Sequence, residues 1–209
     1  MTFFGFRVHY HPIGHGVFHC ERCGGDRPFQ HLAGQRWFHL LLIPIVAVAS
    51  TGEHVRCVIC DTRYRMEVLA LPTITQMQAA LRTGVRAAAI AMLRAGGGGG
   101  ERARRRAIEA IRKAGFEDYH DQALNADLSA SARSEQRGRD LARPLNNLTV
   151  QFAGPAREWF LAEAVRIGLA DGPLSDDERH AAHDIAAQLG MTPSQARGVI
   201  TMTEEAAAA

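Results

Sequence analysis

Two C-x-x-C pairs, CERCG at 20–24 and CVICD at 57–61, constrain this chain more than any other feature. Two residues between cysteines let one tight turn aim both thiolates at a single ion. A second such turn, brought across a hairpin, completes the tetrahedron that Zn2+ favours. Gly24 and Asp61, directly after each pair, are residue types that tolerate the left-handed backbone in which such turns often end. Cys20, Cys23, Cys57 and Cys60 are therefore expected to hold one structural zinc ion. Redox and disulfide chemistry compete for the same residues. A thioredoxin-like motif needs only one pair and wants a helix directly after it, and a disulfide framework does not suit a reducing compartment, so zinc is preferred. His9, His11, His15 and His19 crowd the first pair. Four thiolates already close a zinc site, which leaves these imidazoles as surface or packing residues, spare ligands at best.

All four cysteines and seven of the ten histidines precede residue 61, whereas alanine-rich sequence of helical period dominates after Pro72. The expected fold class is α+β: a small β unit over residues 1–71, then an all-α unit over 72–209. WFHLLLI (37–43), VAVAS (46–50) and YRMEVLAL (64–71) read as strands, with Pro44 and Thr51-Gly52-Glu53 as breaks. The apolar run LLLIPIVAVA (40–49) is too short to span a bilayer and reads as buried strand. With no basic and apolar leader at the N-terminus, a cytoplasmic protein is expected.

From Thr75 the spacing of Met77, Leu81, Val85, Ile90 and Leu93 predicts a helix that ends at the glycine run 96–100, read as a flexible joint. ERARRRAIEAIRKAG (101–115) predicts a helix stopped by Gly115, and the stretch from Leu124 to Leu141 another. Pro155 opens a helix with Phe152, Ala156, Phe160, Ala164 and Ile167 at helical spacing and Trp159 widening the buried stripe. A helix over 176–189 ends at Gly190. Thr192-Pro193-Ser194-Gln195 is a capping box that starts a last helix through Ile200, followed by a frayed EEAAAA tail.

With its two knuckles and the intervening RWFHLLLIPIV (36–46), the first part resembles the zinc-ribbon family, in particular a bacterial version with a Trp-Phe pair and an apolar Ile-Pro strand. The resemblance implies the fold and the metal. Ribbons contact nucleic acids, dock proteins or cap larger domains, so it does not imply one partner.

LADGPLSDDE (169–178) matches the back half of a calcium loop from Asp171 to Glu178, but Ile167 and Leu169 stand where a full loop needs its first two carboxylates. Ser175 to Glu178 reads instead as a capping box at the start of a helix. Residues 166–192, RIGLADGPLSDDERHAAHDIAAQLGMT, resemble the TerB-like family associated with tellurite resistance. That resemblance implies an all-helical domain in which Asp171 and Glu178, joined by Glu163, form an acidic cluster for Ca2+, Mg2+ or Mn2+. It also implies an earlier copy of the unit at 89–115, where glycines replace the Asp-Gly.

His180, His183, Asp184 and Asp176 line one helix face without forming H-E-x-x-H, and read as a solvated face. The net charge of +2 divides into +2 over residues 1–70, +5 over 71–148 and −5 over 149–209. The middle surplus comes largely from Arg102, Arg104, Arg105, Arg106, Arg112 and Lys113, with no interleaved aromatics to stack on bases. An intramolecular or solvated role for this basic helix is preferred to phosphate contact. No nucleophile stands at motif spacing from a base. The chain is therefore read as a non-enzymatic metal-binding or scaffold protein of a stress or tellurite-resistance response, with another protein as partner. The alternative is a nucleic-acid-binding ribbon that uses the Arg-rich helix.

Overall fold

The computed structural model describes residues 4–40, 43–136 and 154–208. The chain divides into two compact units, Met1–Gln76 and Met77–Ala209. The first is a four-stranded antiparallel sheet, the second is helical, and the fold class is α+β.

In the first unit β1 (Phe4–Cys20), β2 (Gly25–Leu40), β3 (Ile43–Cys57) and β4 (Arg63–Tyr64) lie side by side in chain order. β1 follows from the alternation of Phe4, Phe6, Val8 and Tyr10 with Gly5, Arg7, His9 and His11, a period of two that places each set on its own face. β3 continues through Pro44 and Gly52, where breaks were expected. The chain absorbs the strain as bulges: Gly34 pairs with Gly52 and Gln35 with Ser50, which leaves Thr51 as the extra residue. Gly34 has to be glycine, since a Cβ there would stand 2.5 Å from the Thr51 hydroxyl.

Two expectations fail in this unit. Of the third expected strand, 64–71, only Tyr64 pairs with the sheet, and Met66–Ala70 winds into a 3-10 helix whose residues Met66, Val68 and Leu69 pack on the sheet's small core. The apolar run at 40–49 is not buried. Leu40, Ile43, Ile45, Val46 and Val48 are all exposed, while Leu41 and Leu42 lie outside the described residues. Burial concentrates at the other end of the sheet, on Phe18, Cys20, Val55 and Cys57. There Phe18 meets Phe29 and Tyr64 edge-on, with ring centroids 5.7 and 5.3 Å apart. At the end of this unit Asp26 accepts hydrogen bonds from the amides of Ile74 (2.8 Å) and Thr75 (3.0 Å) and from the Thr75 hydroxyl (2.9 Å), capping the first turn of α1.

The described helices are α1 (Ile74–Ala95), α2 (Glu101–Lys113), α3 (Asp121–Gln136), α4 (Gly154–Gly168), α5 (Asp176–Gln188) and α6 (Pro193–Ala208). Phe152 and the stretch 137–141 lie outside the described residues. The helical core gathers Ala88, Met92 and Leu93 of α1, Ala107 and Ile111 of α2, Phe160, Leu161 and Val165 of α4, Ile185 of α5 and Ile200 of α6. Met77 and Trp159, both placed on buried stripes from spacing, are exposed. Phe160, Ala164 and Ile167 of the expected α4 stripe are buried, but Leu161 and Val165 widen it, on the side away from Trp159. α6 runs to Ala208, eight residues past the expected end, since alanine is the best helix former and no breaker intervenes. Its start is the expected reciprocal cap, with Thr192 and Gln195 exchanging hydrogen bonds.

Asp127 of α3 carries the main buried polar contact of the helical unit. Burial by itself would raise its pKa, but both guanidinium branches of Arg86 and the Tyr119 hydroxyl donate to it and hold it below the ordinary carboxylate value. A carboxyl whose folded pKa is depressed stabilises the fold above its unfolded pKa and loses that contribution as pH falls through the folded value. Asp127→Asn is therefore expected to cost the helical unit about 2 kcal/mol at neutral pH, because Arg86 loses its counter-charge. In acid-titrated thermal melts the gap between wild type and variant should close as pH drops below about 4.

Candidate metal centre

The C-x-x-C pairs occupy the β1–β2 and β3–β4 turns. In an antiparallel meander alternate turns fall at the same end of the sheet, so both pairs are delivered to one place. Cys20 lies opposite Gly25, and Cys57 lies opposite Phe29 on the other side of β2. The first turn is a short 3-10 segment, Glu21–Cys23, that ends in Gly24 at φ +64° with its amide donating to Glu21 O. The second ends in Asp61 at φ +57°, the one left-handed non-glycine among the described residues. Its amide donates to Cys57 O, and the Cys57 amide donates to Thr62 O, both at 3.0 Å.

The four Sγ atoms lie within 4.8 Å of one another. Cys20 Sγ and Cys60 Sγ are 3.7 Å apart. A tetrahedron with Zn–S bonds of about 2.3 Å has edges of about 3.8 Å, so the spacing leaves room for an ion at the centre. It is far too long for a disulfide, and all four thiols are free. Cys20 and Cys57 are fully buried and Cys23 and Cys60 half-buried, as befits a closed site at the edge of a small core. The donor set and its spacing fit a single metal ion.

Second contacts orient the sulfurs. The Tyr64 hydroxyl lies 3.2 Å from Cys20 Sγ and accepts from the Arg22 amide, while the Cys60 thiol lies 3.3 Å from the Thr62 hydroxyl. The thiols consequently titrate far apart. Hydrogen bonding by the Thr62 hydroxyl and amide draws Cys60 down to about 6, whereas burial and the neighbouring sulfurs push Cys23 up to about 12. Burial opposes ionisation of Cys20, but Tyr64, Cys23 and Cys57 outweigh it and lower its pKa. Four thiolates this close repel one another unless a cation sits among them, so metal binding would displace protons as it completes the site.

The other candidate residues are placed elsewhere. His9, His11, His15 and His19 stay outside the sulfur group. His19 faces Asp26 at 3.8 Å, and His9 Nε2 lies 3.0 Å from His39 Nε2. Asp171 accepts the amides of Gly100 (2.6 Å) and Ala103 (3.2 Å) and so caps α2, whose N-cap residue, Gly100, has no side chain of its own. Glu178 closes the capping box with Ser175, accepting its amide and hydroxyl at 2.9 Å each. Glu163 is held by Arg106 at 2.9 Å and by Arg166. Among the described residues, only the four cysteines bring three or more ligand groups together.

Sequence reasoning missed the partner of this acidic stretch. A Cβ on Gly96 would stand 2.5 Å from Glu178 Oε1, and one on Gly100 would stand 2.7 Å from Asp171 Oδ2. The glycine run is a hydrogen-bonded turn against these carboxylates, with the Gly98 amide donating to Leu93 O at 2.7 Å. His180 and Asp184 approach to 3.7 Å on the exposed face of α5. Of the six cations of α2, Arg104 reaches Asn125, Arg105 Glu101, Arg106 Glu163, Arg112 the Tyr119 carbonyl and Lys113 Glu109.

Three variants separate the ligands from their surroundings. Cys57→Ser should abolish stoichiometric metal content, whereas His15→Ala should leave it unchanged, both read by elemental analysis. Tyr64→Phe should keep the ion but weaken binding about 10-fold in competition with a chromophoric chelator. The chain matches no family model, no curated protein and no solved structure.

Proposed function

We propose that this protein is a non-enzymatic scaffold in which Cys20, Cys23, Cys57 and Cys60 hold one structural Zn2+. The supporting observation is the near-tetrahedral spacing of four sulfurs contributed by two turns of one sheet. A tetrathiolate site suits zinc or iron, and zinc is preferred here because a closed tetrahedron of four cysteines is its usual structural site. Four protein ligands leave no position for water or substrate, which makes the ion a fastener. Bound there, it supplies the charge that keeps four thiolates together. The unit that it ties is suited to present a surface to another protein. On the resemblance of residues 166–192 alone, this role belongs to a cytoplasmic stress or tellurite-resistance response, with Asp171, Glu178 and Glu163 as the residues that a divalent cation would meet.

The nucleic-acid reading has less support, because five of the six cations on α2 already have partners within the chain. A gel shift at low salt is expected to show no retardation of DNA or RNA.

Metal removal tests the scaffold role. Purified protein should carry one zinc per chain. A strong chelator should abolish the near-ultraviolet signal of the aromatic cluster around Phe18 and Tyr64, while the far-ultraviolet helical signal persists. A chain without zinc, or one whose aromatic signal survives metal loss, would contradict it.

A further inference from the structure

The zinc end of the sheet is packed, but its far half is not. Phe4 lies opposite Leu40, Phe6 opposite Phe38, Leu40 opposite Ile43 and Phe38 opposite Val46. Directly opposed residues point to the same side, so Phe4, Phe6, Val8, Leu40, Ile43 and Val46 form one continuous apolar face across three strands. Each is between 42% and 64% exposed, and nothing among the described residues of this unit covers them. Single exposed apolar residues are ordinary on a protein surface. A patch on the order of 600 Å2 built from aromatic and branched side chains is at the upper limit of what monomers leave bare.

The occupant can be argued from what surrounds the patch. Its one charged neighbour on this face, Arg36 opposite Val8, lies 4.5 Å over the Phe6 ring, so the face offers no free charge to an oppositely charged partner. The reverse face carries Trp37 and Ala47 together with Arg7, His9, His11 and Gln35. A hydrocarbon phase around this half of the sheet would bury those groups. It would also strip water from the outer edge of β1, and from that of β3, which β4 covers only at Val55 and Arg56. A largely apolar surface whose one cation, Arg36, lies over the Phe6 ring instead complements a copy of itself. Two such faces would bury about 1,200 Å2 in all, the lower bound for a stable association.

We propose that two copies of this chain associate through this face about a twofold axis, stacking their sheets into a two-layer sandwich with Phe6 and Val8 near its centre. Inward side chains of aligned sheets interdigitate in this way, and an isologous contact needs only one self-complementary patch. The association is independent of the metal's identity, since the cysteines sit at the opposite end of the strands from Phe4 and Leu40.

Sedimentation equilibrium of the zinc-loaded full chain at micromolar concentration tests this. The expected mass is twice 22.8 kDa, and it should persist in high salt because the contact is apolar. Phe6→Asp and Val8→Asp should each raise the dissociation constant at least about 100-fold, with unchanged zinc content as the control for folding. Amide hydrogen exchange of the unmutated chain, which needs no variant, should show added protection over residues 4–8 and 43–46 on going from dilute to concentrated samples. A chain that stays monomeric at all concentrations overturns the proposal. So does a dimer in which this exchange is unaltered, or one that both variants leave intact with zinc bound.

Discussion

The arrangement of the N-terminal unit depends on one geometric constraint: in an up-and-down sheet, the first and third turns come to the same end. Here those turns are the two cysteine pairs, and the strands between them are long enough, at 16 and 15 residues, to be held in register by their own pairing. Convergence of the sulfurs therefore follows from topology. The energetic weight points the same way. Phe18, Leu32 and Val55 are the buried large apolar side chains described in this unit, and at about 2 kcal/mol each they contribute roughly 6 kcal/mol. The partly buried Phe29, Tyr64, Met66, Val68 and Leu69 add to this, and a structural zinc in a comparable module contributes about 10 kcal/mol, a share of similar size. An ion held there would be a leading contributor to the stability of so extended a sheet.

The helical unit is organised by the opposite means, with a broad apolar core and a few polar fasteners. Asp171 is the clearest of these. Its carboxylate caps α2 from the turn between α4 and α5, 71 residues away in the chain from Gly100, and the glycines admit it because they lack Cβ atoms. The acidic stretch and the glycine run, which look unrelated when read along the chain, are two sides of one contact.

Local chemistry was legible in the sequence where one turn or one helix end decides the outcome. The two knuckles, the left-handed Gly24 and Asp61, and the caps at Ser175 and Thr192 all depend on residues within a few positions of one another. Legibility failed where distant segments decide. β1 went unrecognised because histidines and glycines recur along it and a bulge between Pro12 and Gly14 interrupts its alternation, both of which dilute the strand signal. Hydrophobicity placed the run at 40–49 inside and helical spacing placed Trp159 there, but burial depends on what packs against a residue, and no partner segment for either can be read from the local sequence. Likewise the partners of Asp171, the amides of Gly100 and Ala103, lie 71 and 68 residues earlier in the chain, beyond the reach of local spacing.

The central claim is that four sulfurs surround a single zinc ion. X-ray absorption at the zinc edge reads that shell directly on the purified protein. The account predicts four sulfur neighbours at about 2.3 Å and no light-atom ligand. A first shell containing nitrogen or oxygen at about 2.0 Å would contradict it, because a histidine, carboxylate or water would then have taken the place of one of the four cysteines.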